Sequence, residues 1–211
     1  ILIAAASARN GANALNRIID ADIDKENPRT AKRHLPSGRL SKRALIVFTL
    51  CMGVLLLVST ALLNTLCLML LPLAALLIYG YSYTKRFTWL CHYWLGITCS
   101  AATMGAFLAL NGAFEFRYFI LTGAVALWVS GFDILYALQD LEHDRAHGIF
   151  SIPARFGEQT ARIFALLSHL GSLAALFLLP FFWNLGWLYW SGYLLAAVLM
   201  LSEHIVSLGK T

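Results

Sequence analysis

Residues 43–63, RALIVFTLCMGVLLLVSTALL, decide the fold class, because they form one apolar run with a single charge at its start. An α-helix rises about 1.5 Å per residue, so about 20 such residues cross the hydrocarbon layer of a membrane. Comparable runs predict spans at residues 43–63, 66–84, 91–111, 118–139, 160–180 and 185–203. We therefore predict an all-α fold, a polytopic transmembrane helix bundle.

The composition agrees with that fold class. The chain has 211 residues, is 59% hydrophobic and has a mean hydropathy of +0.69, whereas soluble domains are about 45–50% apolar. No strand-like alternation persists long enough to indicate a β-barrel. The cysteines lie in apolar stretches without CxxC spacing, which predicts packing residues rather than a disulfide framework or metal site; they are Cys51, Cys67, Cys91 and Cys99.

The charges indicate how the helices cross the membrane. Of 16 Lys and Arg residues, only Arg117 falls on the side of Asn64 and Asn184. The positive-inside rule makes the opposite, basic side cytoplasmic, and in a bacterium the membrane would be the inner one. The net charge of +5 therefore describes one membrane face, and we expect no nucleic-acid partner.

The ends of the chain predict a fragment. Ile1 opens within a helical pattern that continues over residues 1–24, without the charged region or cleavage site of a signal peptide. We expect residues 1–211 to be a single transmembrane domain that is truncated at both ends.

The acids carry most of the functional information. Asn16, Asp20 and Asp24, in NRIIDADID, are spaced i, i+4, i+8, so an unbroken helix places them on one face. Asp22 lies off that face. The set falls at the predicted cytoplasmic end of the opening helix.

A second polar set ends the span over 118–139. Its members are spaced i, i+3, i+7, i+11 and are predicted to share a helix face: Asp133, Tyr136, Asp140 and Asp144. Asp133 lies about two turns inside the span, where an unpaired charge costs about 2.5–3.5 kcal/mol.

Facing carboxylates need a partner. Two of them about 6 Å apart repel by about 3 kcal/mol at an effective dielectric near 20. Mg²⁺ prefers oxygen ligands, takes one or two carboxylates and binds substrate phosphates as well. Two acidic helix ends across a cavity therefore predict a diphosphate–Mg²⁺ site, although either set alone is also typical of a solvated helix end.

These residues resemble the UbiA superfamily of intramembrane prenyltransferases. NRIIDADID resembles its first motif, NxxxDxxxD, and DILYALQDLEHD its second, DxxYxxxDxxxD. NPRTAKRHLPSGRLS resembles the family's basic loop, with His34 where proline is usual, and YGYSYTKRF its Tyr-x-x-x-Lys-Arg loop. The resemblance implies a bundle of nine helices, about seven of them represented here, with helix one and the last helix missing.

The resemblance also implies roles for the site residues. Two Mg²⁺ ions would be bound with the diphosphate, one by Asp20 and Asp24 with Asn16 as ligand or orienter, the other by Asp140 and Asp144. Arg29, Arg33 and Lys85 would contact the diphosphate. Tyr81 and Tyr136 would donate hydrogen bonds to the diphosphate or shield the prenyl cation. Asp133 would lie beside the cation or the acceptor. Arg9, seven residues before Asn16, would pair with the acceptor's carboxylate or only neutralise an aspartate.

The implied reaction is Mg²⁺-dependent transfer of a polyprenyl group from polyprenyl diphosphate to an aromatic acid acceptor. The NRxxD form followed by NPRT is most similar to 4-hydroxybenzoate polyprenyltransferases of ubiquinone or menaquinone synthesis; naphthoate, homogentisate and haem are the alternative acceptors. A transporter is disfavoured because its ionisable residues usually lie near mid-membrane. A CDP-alcohol phosphotransferase would need a DGxxAR segment, which this sequence lacks. Prenyl length and oligomeric state stay open.

Overall fold

The computed structural model describes residues 1–208, and all regular secondary structure in this part of the chain is helical. The ten α-helices are α1 (Leu2–Ile19), α2 (Ala21–Glu26), α3 (Lys42–Ala61), α4 (Thr65–Thr84), α5 (Cys91–Asn111), α6 (Phe116–Ala137), α7 (Leu141–Ala146), α8 (Ile152–Phe156), α9 (Glu158–Leu178) and α10 (Trp187–Leu208). Single 3₁₀ turns follow α6 and α9, at Leu138–Asp140 and Leu179–Phe181.

Six of the helices are long and apolar enough to cross a membrane, namely α3, α4, α5, the segment that begins with α6, α9 and α10. They match the six predicted apolar runs, which confirms the fold class. Many large apolar side chains on them are exposed, such as Leu62 at 80% and Trp187 at 79%, as expected where lipid rather than protein surrounds a helix. The protein is thus an integral, multi-pass membrane protein.

Local signals in the sequence explain several helix ends. The Ser41 side chain accepts a hydrogen bond from the Ala44 amide at 3.2 Å and caps α3. Asn64 accepts from the Cys67 amide at 2.9 Å, which caps α4, and donates to the Leu108 carbonyl at 2.8 Å. Gly157 separates α8 from α9 with a φ of +84°, a conformation that favours glycine.

The structure corrects two predicted helices. The opening helix does not run unbroken to residue 24, since it ends at Ile19 and α2 starts after a turn at Asp20 (φ −93°, ψ 5°). Similarly, α6 ends at Ala137 and a 3₁₀ turn separates it from α7. Such a turn has about 3.0 residues per turn rather than 3.6. It therefore shifts the register that an unbroken helix would give to Asp133 and Asp144.

The described chain groups into two compact units. The first contains Ile1–Tyr83 with Gly105–Ala113, and α1 packs against α3 within it. The second contains Thr84–Met104 with the chain from Phe114 onward, and α6 packs against α9 around a buried core of Ile134, Ile152, Ala161 and Ala165. That the chain forms a single domain stays a prediction.

Candidate active site

The first polar set lies in the first unit, where α1 gives way to α2. Asn16 donates a hydrogen bond from Nδ2 to Asp20 Oδ2 at 2.9 Å, and its Nδ2 lies 3.5 Å from Ser82 Oγ of α4. The Asp20 amide donates to Asn16 and the Asp24 amide to Asp20, so the four-residue spacing continues across the turn. Asp20 and Asp24 are buried whereas Asp22 is exposed. The predicted separation of Asp22 from the other acids is therefore confirmed.

Two arginines contact the buried carboxylate of Asp24. Arg33 Nη1 lies 2.7 Å from Oδ1 and 2.9 Å from Oδ2, and Arg17 Nη1 lies 3.6 Å from Oδ2. The basic loop folds back onto this site because the Thr30 hydroxyl donates to the Asp24 carbonyl at 2.9 Å. Arg17 was not among the predicted site residues. It precedes Asp24 by seven residues, the same spacing that drew attention to Arg9 and Asn16.

The other predicted residues of this unit are more accessible. Arg9 on α1 and Arg29 in the basic loop are exposed, and Tyr81 near the end of α4 is half-buried. His34 is exposed, and its carbonyl accepts hydrogen bonds from the Leu40 amide and the Ser37 hydroxyl. The roles of Arg9, Arg29 and Tyr81 stay predictions.

The second polar set lies in the second unit, and its aspartates have separate partners. Asp133 Oδ2 lies 2.7 Å from His92 Nδ1 in the first turn of α5. Asp144 is buried, and its Oδ2 accepts a 2.9 Å hydrogen bond from the Ser151 hydroxyl. Asp140 and Lys85 are close enough to Asp144 to interact with it electrostatically. The charges of Asp140 and Lys85 thus act on Asp144, and the roles of these three residues at the site stay predictions.

Tyr136 lines a cavity of about 630 Å³ within this unit. Tyr136 is 41% exposed, and its ring stacks on Phe132 at a centroid distance of 6.2 Å. Gln139, Glu158, Arg162 and Glu203 also line the cavity, and Arg162 pairs with Glu158 at 2.6 Å. Tyr136 is therefore accessible from a space with both aromatic and polar walls.

Glu115, the residue before α6, has partners among its sequence neighbours. The Tyr118 hydroxyl donates to Glu115 Oε1 at 2.5 Å, and Arg117 Nη2 lies 2.6 Å from Oε2. The hydrogen bond from Tyr118 and the charge of Arg117 hold the pKa of Glu115 below its usual range. This acid has local partners and does not belong to the candidate site.

The donor chemistry of both sets fits Mg²⁺. Each contains paired carboxylates, and the first adds an amide, which are the oxygen ligands that hard cations prefer. Within residues 1–208, no group of three His, Cys, Asp or Glu side chains could by itself hold a metal ion. Mg²⁺ usually keeps waters and substrate phosphates among its ligands, so one or two carboxylates from the protein are enough to bind it.

Comparison with known families decides what kind of protein carries this arrangement. The model of the UbiA prenyltransferase family matches residues 1–210, almost the entire chain. This chain belongs to the UbiA prenyltransferase family. The predicted class of enzyme, a prenyltransferase, is thereby confirmed.

Individual members of the UbiA family are similar to this chain in sequence and in structure. A 4-hydroxybenzoate octaprenyltransferase from Psychromonas ingrahamii is 33% identical over 199 residues, which are 93% of this chain and 68% of that protein. The apo structure of a UbiA homologue from Aeropyrum pernix K1 is 34% identical, has a TM-score of 0.92 and covers 99% of this chain and 79% of that one. A UbiA homologue from Archaeoglobus fulgidus bound to DMAPP and Mg²⁺ has the same fold, with 18% identity and a TM-score of 0.69 over 98% of this chain and 76% of that one.

Two further residues at the site were not predicted from sequence. His92 precedes Asp133 by 41 residues, so only the packing of α5 on α6 brings them together. Ser151 lies seven residues after Asp144, in a segment that no helical periodicity connects to it. A polar side chain in the first turn of an otherwise apolar span was the available signal for His92.

Proposed function

We propose that this UbiA family member transfers a polyprenyl group from a polyprenyl diphosphate to 4-hydroxybenzoate, in ubiquinone or menaquinone synthesis. The observation that carries the proposal is the contact between the buried carboxylate of Asp24 and Arg33 in the first unit, with Lys85 close enough to act electrostatically on Asp144 in the second. Such clusters suit a phosphorylated substrate better than a neutral one. The likeness to a 4-hydroxybenzoate octaprenyltransferase supports this acceptor.

The acids are the proposed metal ligands. Asp20 and Asp24, with Asn16, would hold one Mg²⁺, and Asp140 with Asp144 a second. When bound, Mg²⁺ supplies positive charge that offsets the negative charge growing on the diphosphate. The Mg²⁺ in the structure of the Archaeoglobus fulgidus homologue supports the choice of metal.

The basic residues would stabilise the leaving group. As the allylic C–O bond breaks, Arg33, Arg29 and Lys85 would donate hydrogen bonds to the diphosphate oxygens. Donors that are already in place when negative charge develops there lower the activation barrier of the reaction. Arg33 is already fixed beside Asp24, so little reorganisation is needed before it meets a second anion. Asp24 would then share Arg33 with the diphosphate.

The remaining residues would act on the prenyl cation and the acceptor. Tyr81 and Tyr136 would shield the cation or donate to the diphosphate, and Asp133 would stabilise the cation or place the aromatic ring. The exposed Arg9 would pair with the acceptor's carboxylate. A ring carbon then bonds to the prenyl carbon, and the ring loses a proton. In a bacterial cell, we place this site at the cytoplasmic face of the inner membrane.

An acceptor panel tests the proposal. Membranes containing the protein receive one long polyprenyl diphosphate, Mg²⁺ and either 4-hydroxybenzoate, a dihydroxynaphthoate, homogentisate or haem. We expect prenylated 4-hydroxybenzoate, and no product from Asp20→Ala or Asp140→Ala variants that are expressed normally. Preference for another acceptor would overturn the choice of 4-hydroxybenzoate, and no product with any acceptor would overturn the proposed function.

A further inference from the structure

His92 bridges two parts of the second unit that the chain separates by many residues. It lies in the first turn of α5, and its side chain is only 4% exposed. Nδ1 lies 2.7 Å from Asp133 Oδ2 on α6, and Nε2 lies 3.3 Å from the Ile152 amide nitrogen at the start of α8. Both ring nitrogens are therefore engaged.

The Ile152 contact fixes which nitrogen carries the proton. A backbone N–H can only donate, so Nε2 must present its lone pair to Ile152. A proton on Nε2 would place two N–H groups against each other. Nδ1 is then the protonated nitrogen of a neutral ring and donates to Asp133. The hydrogen-bond network thus assigns one tautomer and one ring orientation.

The bridge ends in a short segment, Phe150–Ile152, that also contacts other site residues. The Phe150 amide donates to the Lys85 carbonyl at 2.8 Å, and the Cys91 thiol donates to the Phe150 carbonyl at 3.4 Å. The Ser151 hydroxyl donates to Asp144 at 2.9 Å. Ser151 is 3% exposed and Ile152 is fully buried. Segment Phe150–Ile152 therefore connects Lys85, Asp144 and, through His92, Asp133.

We propose that His92 is a positioning residue. It holds the Asp133 carboxylate in the orientation that the reaction needs, and it fixes the position of Asp133 relative to Asp144 through segment Phe150–Ile152. This inference rests on the proposed function, since it assumes that Asp133 faces the prenyl cation or the acceptor. The Asp133 side chain is 26% exposed whereas His92 is buried. His92 therefore acts from behind the carboxylate and leaves its outer side available. A misplacement of about 1 Å can lower a rate about 100-fold.

A purely structural role for His92 would be to join α5 to a neighbouring helix. The adjacent residue offers a matched control, because Tyr93 Oη lies 3.0 Å from Ser168 Oγ of α9. Tyr93→Phe removes one hydrogen bond between α5 and another helix without touching Asp133. An effect specific to positioning must therefore appear in His92 variants and not in Tyr93→Phe.

A double-mutant cycle in membranes provides the kinetic test. We expect His92→Ala to lower kcat about 10–100-fold and to change the KM for polyprenyl diphosphate less than about threefold. His92→Asn, whose amide can donate in place of Nδ1, should recover part of the loss. In an Asp133→Asn background, His92→Ala should have no further effect, because non-additivity indicates action through a shared partner. Multiplicative effects, or an equal loss in Tyr93→Phe, would overturn the proposal.

The ring tautomer gives a second readout that does not need turnover. In protein labelled with ¹⁵N-histidine in nanodiscs, one signal should show a neutral ring protonated on Nδ1, and His92→Gln should remove it. A His92 ring protonated on Nε2 would contradict the bridge. If wild-type protein shows this tautomer but no prenyl transfer, the proposed function fails while the geometry of the bridge stands. If it transfers prenyl groups without this tautomer, only the positioning role fails.

Discussion

Arg33 holds Asp24 through a single guanidinium nitrogen, with Nη1 2.7 Å from Oδ1 and 2.9 Å from Oδ2. Both carboxylate oxygens are thus occupied by a cation from the same unit, although Asp24 is the proposed Mg²⁺ ligand and Arg33 the proposed diphosphate contact. Hydrogen bonds between ionised groups are about twice as strong as neutral ones. The pair stabilises a buried carboxylate, and it also competes with any metal for Asp24.

This competition predicts different effects of Arg33→Ala on the two ligands. The KM for polyprenyl diphosphate should rise about 10–100-fold, because a hydrogen bond to a charged group contributes about 1.5–3 kcal/mol. The Mg²⁺ concentration for half-maximal rate should fall or stay the same, since one competing cation has left Asp24. Initial rates in membranes, measured over a range of each ligand, give both values.

Arg39→Ala is the control for Arg33→Ala, because Arg39 is an exposed basic residue of the same loop. Its substitution should leave both values within about twofold. If Arg33→Ala instead raises the Mg²⁺ requirement and leaves the diphosphate KM unchanged, Arg33 only organises Asp24 and does not touch the substrate.

Two aspartates of α2 predict a sharp contrast. Asp24 is 5% exposed and contacts Arg17 and Arg33, whereas Asp22 is exposed. Asp24→Asn should lower kcat/KM at least about 100-fold, because the neutral amide no longer offsets the positive charges of Arg17 and Arg33. Asp22→Asn should stay within about twofold. Equal rates in the two variants, at expression levels matched by immunoblot, would remove Asp24 from the proposed metal site.

The spans and the first polar set could be predicted because both depend on local periodicity. Long apolar runs specify helices that lipid surrounds, and a four-residue spacing specifies one helix face. The turn at Asp20 did not disturb this prediction, since the backbone bonds from Asp20 to Asn16 and from Asp24 to Asp20 preserve the spacing. Residues Asn16, Asp20 and Asp24 could therefore be grouped without knowing the packing.

The partners of the second polar set could not be predicted in this way. His92 and Asp133 are joined by tertiary packing, and Ser151 reaches Asp144 through a loop whose course no periodic pattern describes. The 3₁₀ turn at Leu138–Asp140 was also missed, because it begins within a helical pattern that continues into α7. Sequence spacing identified these acids but not the groups that hold them.

Metal and diphosphate should stabilise the protein jointly. Because each polar set supplies few protein ligands, Mg²⁺ needs the phosphate oxygens to complete its coordination. We therefore expect Mg²⁺ with inorganic pyrophosphate to raise the Tm in detergent, and either one alone to raise it much less. EDTA should abolish turnover, and excess Mg²⁺ should restore it.

Variants at α2 separate this joint effect from general ion binding. Asp24→Asn should lose most of the Tm increase given by Mg²⁺ with pyrophosphate, while Asp22→Asn should retain it. Full turnover in EDTA, or a Tm increase that Asp24→Asn does not reduce, would contradict a Mg²⁺–diphosphate site at this acid.

Two glycines on α6 test the packing that supports Asp133. A Cβ on Gly131 would meet the imidazole ring of His169 and the Ala165 carbonyl oxygen on α9, whereas a Cβ on Gly123 would meet nothing within 4 Å. Helices in membranes use such small residues to approach each other closely. Gly131→Ala should therefore destabilise the protein by about 1–3 kcal/mol through overpacking. Gly123→Ala should be neutral or slightly stabilising, because alanine favours a helix by up to about 1 kcal/mol over glycine.

Thermal unfolding in detergent, followed by tryptophan fluorescence, measures the difference between the two alanine variants. Since α6 also carries Asp133, we expect Gly131→Ala to lower kcat as well, and Gly123→Ala to leave it within about twofold. A Tm for Gly131→Ala at or above that of Gly123→Ala would mean that α6 and α9 can separate at this point without cost. The close approach at Gly131 would then not be what fixes the helix that holds Asp133.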